Sequence, residues 1–155
     1  MTDKLIRELL VNGITNRNAH VTFDDVVSDF PVSRAGDKVT GCKHTAWQLL
    51  EHLRIAQLDI LEFSRNVEHD SPIFPDGYWP EGSQPPSDTS WRESVDTFRA
   101  DLTEFIELIN NESLDLLTPF EQGDKYTLLR EALVLIKHNS YHVGQLAMLK
   151  AALSQ

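Results

Sequence analysis

The sequence predicts an all-α fold, a four-helix bundle. Apolar residues recur at helical spacing in four long segments, and no stretch alternates with period two for long enough to indicate a strand. The connection between the second and third of these segments, residues 67–88, is long and holds five of the 7 prolines. Because 155 residues are about the size of one domain, we assign residues 1–155 to a single bundle.

The helical segments follow from apolar spacing and from residues that start or stop a helix. Four long helices and one short amphipathic helix are expected, over residues 2–12, 22–30, 44–66, 89–110 and 127–153. Gly13 can end the first, and Pro31 ends the short one. Residues 31–43 are polar and contain glycine, so we interpret them as a loop.

The proline-rich segment, which we call the strap (residues 67–88), is expected to be a crossover connection. Loops of this length inside a domain are usually functional or crossover segments. About 15 extended residues already span about 50 Å, so the two helices that the strap joins can run parallel. We expect its aromatic side chains to pack on the bundle: Phe74, Tyr78 and Trp79.

Charge and composition argue against several partners and locations. With 14 basic and 24 acidic residues the formal net charge is −10, and an acidic surface repels both nucleic acid and anionic membranes. The chain shows neither an apolar run of about 20 residues nor a signal-peptide core, which favours a cytoplasmic protein. The single cysteine, Cys42, excludes an intramolecular disulfide and is expected to be an inert free thiol.

Two histidines of the last helix, His138 and His142, are candidate metal ligands. Their i, i+4 spacing places both rings on one helix face, about 6 Å apart at Cβ, which allows them to share one ion. His142 also continues a seven-residue series of core positions: Leu128, Leu135, His142 and Leu149. A polar string is therefore expected to face the bundle interior: Glu131, His138, His142 and Gln145. Such groups need partners, since an unsatisfied buried polar group costs about 1–3 kcal/mol.

A third ligand is expected from the second long helix. At about 100° per residue, His52 lies at the edge of the apolar arc and can point inward, whereas His44 falls on the far side. Three neutral imidazoles with an open fourth position describe a catalytic zinc site, and imidazole also suits nickel, iron and copper. We expect one divalent ion per chain, zinc or nickel being favoured. The alternative is that the inward histidines are hydrogen-bonded core residues.

Missing motifs narrow the chemistry further. Asn139 rather than a glutamate follows His138, which argues against a protease of the H-E-x-x-H type. The sequence contains no Glu-x-x-His pair, which argues against a ferritin-like di-iron bundle. It also contains no glycine-rich phosphate loop.

Three motifs together form a family pattern: Trp47-Gln48-Leu49-Leu50-Glu51-His52-Leu53, Tyr78-Trp79-Pro80 and His138-x-x-x-His142-x-Gly144-Gln145. The pattern resembles the DinB-like (DinB/YfiT) superfamily over nearly the whole chain, and the last motif is the most specific. The resemblance implies an up-down-down-up bundle and a metal ion held by three histidines, which carry over to His52, His138 and His142. Many relatives have another histidine just before the last ligand, where this chain has Tyr141.

The resemblance also implies an activity. Relatives include S-transferases that use low-molecular-weight thiols and a thiol-dependent maleylpyruvate isomerase, together with many members of no known activity. We expect a metal-dependent enzyme that activates such a thiol against a small-molecule substrate, with Gln145 or Glu131 orienting a ligand imidazole. The alternative is a non-catalytic metal-binding stress-response module. A phosphotransfer domain is less favoured, because it would need one exposed histidine rather than two inward ones.

A homodimer is also expected. Trp47, Ile55 and Leu58 lie off the main apolar arc of the second long helix. Either the short helix near 22–30 covers them or they form a dimer face, since a cluster of exposed apolar residues usually marks an interface. The family resemblance favours the dimer.

Overall fold

The chain folds into a mostly helical structure with one small sheet. A computed structural model describes residues 2–155, except for the side chain of Thr2. The helices are α1 (Thr2–Thr15), α2 (Phe23–Val27), α3 (Ala46–Arg65), α4 (Ser90–Asn110) and α5 (Leu128–Leu153). Each lies within a few residues of a segment expected from the periodicity. In the described part of the chain, no helix has both the length and the apolar character that crossing a membrane requires.

The prediction of an exclusively helical fold is wrong between α4 and α5. Strands β1 (Pro119–Phe120) and β2 (Gly123–Thr127) form an antiparallel hairpin, in which Phe120 pairs with Gly123. Strand β1 has only two residues, and β2 shows no regular alternation of buried and exposed side chains, so neither strand carries a period-two signal. Gly123 has a φ of +149°, which residues with a side chain rarely adopt.

Threonine caps determine where the two helices that bear the candidate ligands begin. Before α3, the Thr45 hydroxyl accepts from the Gln48 N–H at 3.2 Å, while the Gln48 side chain accepts from the Thr45 N–H at 3.0 Å. This reciprocal pair is a capping box. Before α5, the Thr127 hydroxyl accepts from the Arg130 N–H at 3.1 Å. Because α3 starts after Thr45, His44 lies outside the helix.

Two apolar clusters fill the interior. One combines α2, the first halves of α3 and α4 and the second half of α5, and the other combines α1 with the opposite halves of α3, α4 and α5. Between them along α3 lies Gln57, which is fully buried. Its Nε2 donates to the Phe98 carbonyl at 2.6 Å, and its Oε1 accepts from Asn139 at 3.0 Å. Polar groups are thus tolerated at mid-bundle because they bind one another.

Trp47 does not belong to an exposed face. It is buried in the same apolar cluster as Phe23 and Phe30, and its main-chain N–H donates to the Ala35 carbonyl at 2.9 Å. The segment around α2 therefore covers Trp47, so for this residue the short helix, and not a dimer face, accounts for its position. Ile55 and Leu58 are half-buried. The homodimer stays a prediction, which light scattering would test.

The strap lies against α3 over only part of its length. A short 3-10 turn at Asp76–Tyr78 precedes Trp79, which packs against the apolar cluster as expected. Phe74, by contrast, is 83% exposed and contacts Tyr78 edge to face, with the ring centroids 6.3 Å apart. The expectation that Phe74 packs on the bundle is therefore wrong.

Candidate metal centre

Three histidine rings from two helices converge in the structure. The Nε2 of His52 on α3 lies 3.1 Å from the Nε2 of His142 and 3.0 Å from the Nε2 of His138, both on α5. One nitrogen from each ring lies within 4.8 Å of those of the other two. The i, i+4 spacing aligns the two rings of α5, and the packing of α3 against α5 adds the third. Three histidines placed in this way can bind a metal ion.

The outer nitrogens of these rings show where the protons lie. His52 Nδ1 is 2.8 Å from the Tyr78 carbonyl oxygen, which can only accept a hydrogen bond. Nδ1 therefore carries the hydrogen, and the Nε2 of the neutral ring presents a lone pair. His142 Nδ1 lies 2.7 Å from the Gln145 side-chain oxygen, which has the same effect on His142. His138 Nδ1 makes a longer contact of 3.4 Å to the Asn139 side-chain oxygen.

This donor set fits a cation. With Nδ1 protonated in both rings, the Nε2 atoms of His52 and His142 face each other at 3.1 Å as two lone pairs, an arrangement that a shared positive charge relieves. Imidazoles that bind a metal through one nitrogen and donate from the other to an oxygen are the usual form of histidine ligands. The three histidines therefore fit a metal ion that takes nitrogen ligands.

Burial keeps the three rings neutral near pH 7. Burial, together with the nearby histidines, lowers the pKa of His142 to about 4. The pKa of His52 and that of His138 are also lowered, in both cases mainly by burial. Neutral imidazole is the form that binds a metal ion, because protons compete for the same lone pair.

Trp79 of the strap covers one face of the cluster. Its ring is parallel to that of His52, with centroids 4.0 Å apart and planes inclined by 2°. His44 also stacks on Trp79, with centroids 3.8 Å apart and planes inclined by 13°. Two rings cannot share one face of an indole at these distances, so Trp79 lies between the two imidazoles.

His44 does not join the three converging rings, as expected, but it lies beside them on the outer face of Trp79. The helical-wheel argument assumed that the helix starts at His44, whereas Thr45 is the cap and His44 precedes it. Sequence reasoning could have found this, because Thr45 and Gln48 have the spacing of a capping box.

Of the two residues expected to orient a ligand imidazole, only Gln145 has a hydrogen bond to one. Gln145 binds His142, as described above. Glu131 is buried elsewhere, and its carboxylate pairs with Arg130 at 2.6 Å. Seven residues of helix separate Glu131 from His138, which is about 10 Å of rise. Although both lie on the inward face of α5, Glu131 has Arg130 rather than a ligand imidazole as its hydrogen-bond partner.

A cavity of about 330 Å³ lies beside the cluster. Its lining residues come from the loop before α3, from α3 and from the second half of α5: Gly41, Cys42, Lys43, His44, Leu49, Gln145, Met148 and Leu149. The cavity adjoins the histidine cluster at two points. Gln145 of its lining contacts His142, and His44 of its lining stacks on Trp79. Within the described chain its lining includes Lys43 but no carboxylate. Cys42 is an exposed free thiol at this cavity.

Fold and site together define a helical protein with a three-histidine cluster that can bind a metal ion. A family profile described as the DinB superfamily matches residues 17–146. The chain therefore belongs to the DinB superfamily, and the matched segment contains all three histidines. This confirms the resemblance that the motifs indicate. Comparisons with curated proteins and with solved structures find no significant match.

Proposed function

We propose that this protein is a metal-dependent enzyme that transfers a low-molecular-weight thiol to a small electrophilic substrate. The observation that carries the proposal is the convergence of three Nε2 atoms, those of His52, His138 and His142, two of them 3.0 and 3.1 Å from the third. Membership of the DinB superfamily supports it, because the resemblance to that family implies thiol-dependent transferases. A divalent ion held by these histidines would supply a Lewis acid, which would lower the pKa of a thiol bound at the site.

The residues of the chain prepare this site in two ways. The Tyr78 carbonyl and the Gln145 side chain hold His52 and His142 with their Nε2 lone pairs turned inward. The low pKa of His142 keeps its lone pair free near pH 7. The rings therefore need neither to reorient nor to lose a proton before they bind the ion.

We infer that the adjacent cavity receives the small molecules. Leu49, Met148 and Leu149 offer apolar contacts, and Lys43 offers a positive charge without a competing carboxylate in the lining. Such a lining favours an anionic thiol or substrate with an apolar part. In the proposed reaction the thiol releases its proton, and its sulfur forms a bond to the electrophilic carbon of the substrate. The leaving group departs with the electron pair of the bond that breaks.

A second candidate function is a non-catalytic metal-binding stress-response module. The burial of the cluster favours it, since His52 is only 8% exposed and His142 only 9% exposed. A site covered in this way by Trp79 suits an ion that stabilises the fold.

We further infer that the helices follow the up-down-down-up order. The first halves of α3 and α4 share one apolar cluster, which supports a parallel pair, while the second half of α5 packs with the first half of α3. In the first half of α1, the Arg7 guanidinium donates to the carbonyls of Ile109 and Leu114, near and just beyond the end of α4. This contact supports an α1 antiparallel to α4.

A thiol-consumption assay distinguishes the two functions. Zinc- or nickel-loaded protein is mixed with a panel of low-molecular-weight thiols and an alkyl halide whose thioether product fluoresces. We expect at least one thiol to react faster with the loaded protein than with the His142→Ala variant. If every thiol reacts equally with both, the transferase proposal fails and the non-catalytic module is favoured.

A further inference from the structure

We propose that Asp59 and Tyr78 form a positioning pair that holds the metal ligand His52 in its binding orientation. The inference rests on the proposed function in one respect, namely that the histidine cluster binds a metal ion. Neither residue reaches the inner nitrogens of the cluster. Tyr78, a residue of the strap, supplies the main-chain oxygen bound to the outer nitrogen of His52. Asp59 acts on His52 only by holding Tyr78.

Asp59 binds two points of the strap with its two carboxylate oxygens. Its Oδ2 accepts from the Tyr78 hydroxyl at 2.7 Å, and its Oδ1 lies 2.8 Å from His69 Nε2. Its side chain is largely buried, as is that of His69. One carboxylate on α3 therefore closes the segment 69–78 into a loop anchored on the helix.

Tyr78 is the link between this anchor and the metal ligand. Its hydroxyl donates to Asp59, while its main-chain carbonyl accepts from His52 Nδ1 at 2.8 Å. Asp59 and His52 lie seven residues apart on α3, which is about 10 Å along the helix axis. Helix α3 thus carries both the ligand His52 and Asp59, which holds the residue that orients His52.

The strap needs such an anchor because apolar packing does not hold the residues before Tyr78. Ile73 is 84% exposed and Phe74 is 83% exposed. The turn itself is stabilised internally, since the Gly77 N–H donates to the Ile73 carbonyl at 2.7 Å. That bond fixes the shape of the turn but not its position on α3. The Tyr78 hydroxyl supplies a bond that fixes the position.

Loss of the Tyr78–Asp59 bond should release His52 without removing a ligand. When the carbonyl of Tyr78 shifts away, His52 no longer has a fixed acceptor at Nδ1, and the proton can occupy either ring nitrogen. Groups that orient a ligand in this way typically change metal affinity by about 10- to 100-fold. We therefore expect an effect of this size from a variant that keeps all three histidines.

The experiment compares Tyr78→Phe and Asp59→Asn with Tyr126→Phe, a matched control in β2. Zinc affinity is measured by competition with a chelator. The protonated nitrogen of His52 is identified in the metal-free protein from ¹H–¹⁵N correlation spectra. We expect about 10- to 100-fold weaker zinc binding in the first two variants and wild-type affinity in the control. His52 should be protonated at Nδ1 in the wild type and at a mixture of nitrogens in Tyr78→Phe.

Wild-type affinity and an unchanged His52 tautomer in Tyr78→Phe would overturn the proposal. A loss of zinc affinity with an unchanged tautomer would also overturn it, because a purely structural role would explain that result. If the wild type itself binds no zinc, the proposed function fails, and the tautomer of the metal-free protein still decides the role of Tyr78. Asp59→Asn provides the same comparison if Tyr78→Phe does not fold.

Discussion

The indole of Trp79 lies parallel to the imidazole of His52, with ring centroids 4.0 Å apart and planes inclined by 2°. The two residues come from different elements, since His52 belongs to α3 and Trp79 follows the 3-10 turn of the strap. The strap thus supplies both an aromatic face for His52 and, from Tyr78, an acceptor for its Nδ1. A loop that connects two helices forms part of the candidate metal site.

This stacking makes Trp79 a reporter of the site. Copper(II) suits imidazole ligands and quenches the fluorescence of an indole close to it. We expect added copper to quench the tryptophan emission of the metal-free protein, and most of this quenching to disappear in Trp79→Phe. Trp91→Phe is the control, because Trp91 belongs to the apolar core. Equal quenching in Trp79→Phe and wild type would place the ion elsewhere.

Metal stoichiometry should depend on His142. We expect about one equivalent of zinc or nickel per chain in the purified protein and almost none in His142→Ala, because two remaining imidazoles bind an ion far more weakly. Elemental analysis measures the ratio. His20→Ala serves as the control, since His20 is exposed and binds Ser140 instead of the cluster. Full occupancy in His142→Ala would contradict the ligand assignment.

Gln145 should raise metal affinity through His142. Its side-chain oxygen lies 2.7 Å from His142 Nδ1, so Gln145→Ala removes an acceptor that orients the ring. We expect zinc binding to weaken by about 10- to 100-fold, and to recover in Gln145→Glu because a carboxylate also accepts. Chelator competition measures the affinity. Gln122→Ala, which alters a contact near the hairpin, should bind zinc as the wild type does.

Lys43 should favour anionic ligands in the cavity beside the cluster. If the transferase proposal is correct, replacing Lys43 with glutamine should raise the KM for a thiol that carries a carboxylate by several-fold, since the cavity loses its positive charge. The KM for cysteamine, which has no carboxylate, should stay unchanged or fall. Lys38→Gln is the control for a general change in charge. An equal effect on both thiols would contradict a direct role for Lys43.

The charged carboxylate of Asp101 should lower the free energy of unfolding at neutral pH. Within residues 2–155 its Oδ2 is buried without a hydrogen-bond partner, and burial, together with Glu104, raises the pKa of its carboxyl group. The folded state therefore binds this proton more tightly than the unfolded chain does. The resulting stabilisation is present at low pH and is lost as the pH rises through the raised pKa.

Asp101→Asn should accordingly raise the free energy of unfolding at pH 7, and the difference from wild type should shrink towards pH 3. Urea unfolding at several pH values measures it. Asp96→Asn, an exposed position on the same helix, should show a smaller change. A gain that is the same at every pH would contradict an origin in the charge of Asp101.

Local patterns in the sequence were sufficient for the helices and for part of the site. Apolar spacing predicted all five helices, because each buries one face and the pattern repeats every turn. The i, i+4 spacing of His138 and His142 likewise predicted two adjacent rings, since helix geometry alone determines their separation. The position of His142 among core leucines indicated that these rings face inward.

Contacts between distant segments decided the position of His44 and the surroundings of His52. His44 lies beside the cluster because Trp79, 35 positions later in the chain, brings the strap against it. The Tyr78 carbonyl that orients His52 and the Asp59 carboxylate that holds Tyr78 also meet only in the folded chain. The sequence by itself determined which residues share a helix face, because neighbours along a helix have a set geometry. Only the tertiary structure decided which groups surround His52, because the path of the strap depends on packing and hydrogen bonds to α3 that leave no periodic pattern in the sequence.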